Sequence, residues 1–166
     1  MVTILVADSK DGSGFSCALS RILRRHFNEE ELRLCDIKNA QSTGDDNMIV
    51  VYKQLQPTAF RPQGDQTAVA IVDSSDEQLL RHVSDTRLPA ITCGLRSRDT
   101  ITLSSMAGES VVIDLRRSIS CLNGDTAEPQ EIPLRQLDPH ENFLLMASAA
   151  ILILSGKIEC LKEGYI

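Results

Sequence analysis

Short, nearly continuous apolar segments most constrain the fold of this 166-residue chain. They lie at residues 2–7, 48–52, 67–72 and 89–93, and each lacks the polar alternation of a strand with one wet face. Strands buried on both faces have this pattern, and they belong to parallel sheets covered by helices. The sequence therefore predicts a three-layer α/β fold with a mostly parallel sheet of P-loop or Rossmann type.

The elements between and after these strands complete the prediction. Residues 15–27 show helical periodicity, and a capping box of Ser74 and Glu77 predicts a helix that starts at Ser74. After Gly94 the pattern changes to short strands separated by turns, which favours antiparallel hairpins. The closing helix is predicted from Asp138 as N-cap and Pro139 as first helical residue, with Gly156 at its end. We expect one domain over residues 1–166, in which the parallel part is followed by an antiparallel β-hairpin segment and a closing C-terminal helix.

Composition excludes several classes of function. The net charge is −6, shared equally by the two halves of the chain, so nonspecific binding to nucleic acid is not expected. The longest apolar run, residues 143–154, is well short of the roughly 20 residues of a membrane-spanning helix. The five cysteines form no C-x-x-C pair, so no metal site is predicted. We expect a cytoplasmic protein with reduced cysteines, no nucleic-acid partner and no membrane contact.

A glycine-rich turn follows the first strand and is the first candidate for chemistry. Backbone N–H groups at the start of a helix bind phosphate, and the candidate residues are Lys10, Gly12, Ser13, Gly14 and Ser16. A P-loop needs a lysine directly after its last glycine, whereas Phe15 follows Gly14. The turn is therefore open to two interpretations, a turn without ligand or an anion site without hydrolysis, and Asp8 and Asp11 oppose the second.

Four further residues are candidates for ligand contacts. Asp73 and Asp76 follow a parallel strand, at the edge where open α/β sheets bind ligands, although helix capping by Ser74, Ser75 and Asp76 is the more ordinary role of this turn. His140 and Asn142 stand at the predicted start of the last helix. No catalytic residue is predicted, because the three histidines are scattered and match no catalytic triad.

Three short segments occur in the order of a known family. Residues 70–76 read Ala-Ile-Val-Asp-Ser-Ser-Asp, residues 90–95 read Ala-Ile-Thr-Cys-Gly-Leu, and residues 140–145 read His-Glu-Asn-Phe-Leu-Leu. With the hairpin region between the last two, they resemble the central domain of the Mur ligases, ATP-dependent amide ligases of peptidoglycan precursor synthesis. The resemblance implies ATP or ADP as ligand, with His140 and Asn142 near the adenine, although Leu145 replaces the second asparagine of the family's helix start.

Three departures from this family argue against ligase activity. The lysine after the loop glycine is absent, the stretch that carries the family's magnesium-binding glutamate is short, and the sequence has no room for the substrate domains. We favour a Mur ligase-like module without ligase activity that binds a nucleotide, a peptidoglycan precursor, a protein partner or a second copy of itself. The alternatives are a small enzyme that binds nucleotide or phosphate through the loop of residues 12–14, and one chain of a split ligase complex.

Overall fold

The chain divides into two compact units, Met1–Ile91 and Thr92–Ile166. The computed structural model describes residues 1–8, 14–42, 47–55, 60–63, 66–138, 140–162 and 165–166. The prediction of a single domain stays a prediction. The first unit contains β1 (Val2–Ala7), α1 (Gly14–Leu23), β2 (Leu32–Asp36), a 3-10 helix (Ile37–Ser42), β3 (Asn47–Tyr52), β4 (Thr67–Asp73) and α2 (Glu77–Thr86).

The first unit is built on parallel strands in the order β2-β1-β3-β4. Thr3 of β1 is the register partner of Met48 in β3, and Met48 is in turn the partner of Ala68 in β4. The three strands β1, β3 and β4 are buried almost throughout, as their apolar sequences predict. The parallel α/β part of the prediction is confirmed.

Helices cover this sheet because both of its faces are apolar. One face consists of alternate strand residues, among them Leu5, Val50 and Ala70, which form a core with Leu79 and Val83 of α2. The strand residues that alternate with these side chains point to the opposite face of the sheet and are also buried. A crossover between parallel strands is right-handed, which places α1, between β1 and β2, on the face opposite α2.

The second unit is mostly antiparallel. Strand β5 (Ala90–Cys93) leads into this unit, and the elements after it are β6 (Ile101–Ala107), β7 (Ser110–Leu115), β8 (Ile119–Ser120), β9 (Thr126–Ala127), β10 (Gln130–Arg135), α3 (Asn142–Leu154) and α4 (Ile158–Lys162). Cys93 of β5 pairs in parallel with Ile101 of β6. Strands β6, β7 and β10 pair antiparallel, with a bulge in β6 between Leu103 and Ser105.

Helix α3 is apolar on every side, and residues 143–154 are all buried. Its end is fixed by Gly156, whose φ of +72° suits glycine, while the N–H groups of Gly156 and Lys157 bond back to the carbonyls of Ile153 and Leu152. The buried Cys121 thiol donates to the Ile153 carbonyl at 3.1 Å, and burial raises its pKa. The predicted end of the closing helix is thus confirmed.

Two predicted helix starts are wrong. Helix α2 begins at Glu77, and its N-cap is Asp76, whose carboxylate accepts from two backbone N–H groups, so Ser74 does not cap it. Helix α3 begins at Asn142, and its N-cap Glu141 lies three residues after the predicted cap Asp138. Pro139 lies outside the described residues. Within the described ranges no helix is long and apolar enough to cross a membrane, and none of the five cysteines forms a disulfide.

Candidate anion site at the first turn of α1

The carboxyl ends of β1 and β3 lie side by side in the first unit. Ala7 and Tyr52 are register partners there, and the Ala7 carbonyl accepts from the N–H groups of Lys53 at 3.0 Å and Gln54 at 2.9 Å. From β1 the sheet continues to β2 on one side and to β3 on the other. Open α/β sheets bind ligands outside the carboxyl ends of their strands at such a change of direction. This edge is therefore the part of the first unit best placed to hold a ligand.

Helix α1 begins at this edge. Its first residues are Gly14, Phe15 and Ser16, and its first turn contains no acidic residue. The N–H groups of a first helical turn have no partner inside the helix and carry a partial positive charge, so they attract anions. Gly14 is exposed, and a Cβ atom added to it would meet no atom within 4 Å among the residues that the structure describes. Packing therefore does not require a glycine there, and space is open beside the helix start.

Lys53 adds a full positive charge to this helix start. Its ammonium nitrogen lies 5.3 Å from the centre of the Phe15 ring, which is a cation–π contact. Phe15 is itself buried, with 8% of its surface exposed, so the ring is a fixed support for the ammonium group. Asp8, directly after β1, is half-buried and brings one carboxylate to the same edge. Lys53 is the residue that sequence reasoning missed, since nothing in the sequence links it to the glycine turn.

Asp73 and Asp76 stabilise the turn between β4 and α2. Asp73 Oδ1 accepts from the N–H and the hydroxyl of Ser75, at 2.8 and 2.7 Å. Asp76 Oδ1 accepts from the N–H groups of Gln78 and Leu79, at 2.9 and 3.0 Å. One oxygen of each carboxylate is therefore hydrogen-bonded within the turn and the helix start that follows it. In the same turn the Ser74 hydroxyl is buried and has no hydrogen-bond partner within the described residues.

Tyr52 is the last residue of β3, and it packs in the interior of the first unit. Its side chain is fully buried, and its ring meets that of His82 edge to face at 5.7 Å between centroids. Burial raises the pKa of Tyr52 to about 12, against a smaller lowering by the Phe60 backbone. The hydroxyl therefore stays protonated near neutral pH, and Tyr52 contributes structure at this edge rather than charge.

The remaining predicted site residues are distributed differently. Lys10, Gly12 and Ser13 lie outside the described residues. His140 is half-buried and precedes the N-cap of α3, and Asn142 is the exposed first residue of that helix, so both belong to the second unit. In the described part of the chain no three His, Cys, Asp or Glu side chains are grouped to hold a metal ion.

No protein-family model and no curated protein matches this chain.

Proposed function

We propose that this chain is a Mur ligase-like binding module without ligase activity, and that its first unit binds the phosphate groups of ATP or ADP at the first turn of α1. The observation that carries the proposal is the position of the Lys53 ammonium group on the Phe15 ring, at the start of α1. Helix N–H groups and a cation then face the same ligand edge of the sheet.

The charge of Lys53 takes the place of part of the missing P-loop chemistry. In a P-loop the lysine after the last glycine reaches the β- and γ-phosphates, where it also supports transfer of the γ-phosphate. Here the positive charge comes from the end of β3, and Phe15 occupies the position after Gly14. This arrangement attracts an anion. It lacks the P-loop lysine that phosphate transfer requires. We therefore expect binding without turnover.

The link to peptidoglycan precursors rests on the resemblance to the Mur ligases. What supports it is the order of elements along the chain: β4 with the Asp73 turn, then α2, β5, the antiparallel strands, and α3 with His140 just before its N-cap. A UDP-linked muramyl peptide carries a pyrophosphate as well as the peptide. It is therefore the second ligand to test at the same site.

Isothermal titration calorimetry with ADP tests this function. The comparison is between the wild type, Lys53→Met, which keeps the length of the side chain but not its charge, and Lys38→Met as a matched control. Lys38 is an exposed lysine that pairs with Asp36 at 3.6 Å. We expect Lys53→Met to weaken ADP binding about tenfold, which is about 1.4 kcal/mol, and Lys38→Met to leave it unchanged. Because Asp8 brings a carboxylate to this edge, each titration is run with and without Mg²⁺.

Three results would contradict the proposal. The wild type could show no heat of binding with ADP or with the UDP-linked muramyl peptide. The two lysine variants could bind ADP equally well, which would remove Lys53 from the site. Release of inorganic phosphate from ATP by the pure wild type, in a parallel assay, would overturn the absence of turnover.

A further inference from the structure

Four arginines of the second unit lie on two turns that hydrogen bonds hold side by side. Arg96 and Arg98 follow β5, while Arg116 and Arg117 follow β7, and together they are called the arginine patch below. The Arg116 N–H donates to the Thr100 carbonyl at 2.9 Å, and the Arg116 guanidinium Nη1 donates to the Arg96 carbonyl at 3.4 Å. All four arginines are exposed. The two turns therefore present one positively charged surface in a chain whose net charge is −6.

The nearby carboxylates neutralise this patch only in part. Asp99 is 1% exposed, and its carboxylate accepts the Arg96 backbone N–H at 2.8 Å. This carboxylate is therefore buried and does not lie on the exposed surface of the patch. Asp114 accepts from Arg116 Nε at 2.9 Å. Glu128 accepts the Ser118 hydroxyl at 2.9 Å, and the exposed Glu131 of β10 is the register partner of Asp114.

Three guanidinium groups remain available. Those of Arg96, Arg98 and Arg117 make no ion pair or hydrogen bond within the residues that the structure describes. A guanidinium group presents its N–H donors in a plane that matches a carboxylate, and such pairs form two parallel hydrogen bonds. The surface can therefore bind several carboxylates at once.

An exposed apolar side chain directly precedes the arginine patch in sequence. Leu95 directly precedes Arg96 and is 66% exposed, the largest exposed fraction among the large apolar side chains described. An exposed leucine among arginines is an apolar contact point inside a polar rim, which is the usual composition of a protein–protein contact.

We propose that the arginine patch and Leu95 bind an acidic peptide segment of a partner protein, one that carries carboxylates beside an apolar side chain. Recognition of acidic motifs by arginine clusters is a recurrent mode of peptide binding. The four exposed arginines spread over two turns, which suits an extended segment better than one small anion. A nucleic acid is the poorer fit, because the net charge of −6 repels a long phosphate backbone. This surface is independent of the anion site proposed in the first unit.

Fluorescence anisotropy with a labelled synthetic peptide tests the proposal. The peptide consists of glutamates around a central leucine, and a second peptide has glutamine in place of every glutamate. The test variant is Arg98→Glu with Arg117→Glu, whose side chains have no partner to lose in the described structure. The matched control is Arg24→Glu with Arg81→Glu, two exposed arginines outside the patch that undergo the same change of charge.

We expect the wild type to bind the acidic peptide and not the glutamine peptide. The Arg98/Arg117 variant should bind at least about tenfold more weakly, while the Arg24/Arg81 variant keeps most of the affinity. Equal affinity of the two variants would overturn the proposal, as would the absence of binding by the wild type. Tighter binding of a single-stranded oligonucleotide would overturn it in favour of nucleic acid. Self-association of the wild type that is lost only in the Arg98/Arg117 variant would overturn it in favour of a second copy of the chain.

Discussion

The ammonium group of Lys53 rests on the ring of Phe15, 5.3 Å from its centre, so a residue that follows β3 contacts the first turn of α1. The contact forms because Ala7 and Tyr52 pair at the carboxyl ends of β1 and β3, which brings the chain after each strand to the same edge. A positive charge therefore contacts a side chain of the first turn of α1, at the ligand edge of a parallel sheet.

Gly14→Ala separates ligand binding from stability. A Cβ at this position meets no described atom within 4 Å, and alanine is the better helix former, so we expect stability to stay the same or to rise by up to about 1 kcal/mol. The added methyl group fills the open space beside the helix start, so the affinity for ADP should fall severalfold. Thermal unfolding and calorimetric titration measure the two effects.

Ser20→Ala is the control for Gly14→Ala, because it changes the same helix away from its first turn. It should leave ADP affinity unchanged. A Gly14→Ala protein that is equally stable and binds ADP as tightly as the wild type would show that the ligand does not approach the start of α1.

Asp76→Ala tests whether Asp76 caps a helix or contacts the ligand. The carboxylate accepts from the N–H groups of Gln78 and Leu79, and loss of such a cap costs about 1 kcal/mol of stability. Asp76→Asn keeps an acceptor oxygen and should recover most of that loss. Urea unfolding measures both variants, and ADP titration should give the wild-type affinity for Asp76→Asn. A clear loss of ADP affinity in this folded variant would instead assign Asp76 to the ligand site.

Tyr52 makes stability depend on pH in the alkaline range. Burial raises its pKa to about 12 from the 10.0 of a free tyrosine, so the folded state holds this proton more tightly than the unfolded state. The free energy of unfolding contributed by Tyr52 is therefore complete below pH 10 and falls as pH rises from 10 towards 12. A difference of two pKa units corresponds to a loss of roughly 2–3 kcal/mol in the free energy of unfolding.

Urea unfolding at increasing pH measures this effect by comparison of variants. Tyr52→Phe should lose less stability than the wild type between pH 10 and pH 12, while Tyr165→Phe, at a half-exposed tyrosine, should follow the wild type. The buried Cys121 thiol also has a raised pKa and titrates in all three proteins, so it cancels in the comparison. Parallel pH curves for Tyr52→Phe and the wild type would contradict the role given to Tyr52.

The sequence was sufficient to predict β1, β3 and β4 of the first unit because their burial on both faces removes polar residues from them. Residues 67–72, for example, were predicted as a buried strand, and β4 spans Thr67–Asp73. The helix starts were harder, because Ser74, Asp76 and Asp138 are all good N-cap residues. At α2 the choice depends on which side chain reaches the backbone N–H groups, and a sequence does not show that. At α3 the N-cap Glu141 makes no side-chain hydrogen bond, so no capping signal marks the observed start. The short elements β9 and α4 have too few residues for a periodic pattern.

The candidate site was predictable only where its residues are neighbours in sequence. Gly14 and Ser16 follow an apolar strand and open a helix, so their role could be inferred from local pattern. Lys53 could not, because its contact with Phe15 depends on the pairing of β1 with β3. The arginine patch is similar, since two turns distant in sequence come together only through the pairing of β6 with β7.

Nuclear magnetic resonance shifts of backbone amides during titration with ADP test the anion site most directly. We expect the largest shifts at the amides of Gly14, Phe15 and Ser16, with a smaller change at Lys53, and we expect Lys53→Met to need about ten times more ADP to reach the same shifts. Shifts confined to other parts of the chain, or no shift at any amide of α1 at saturating ADP, would contradict it.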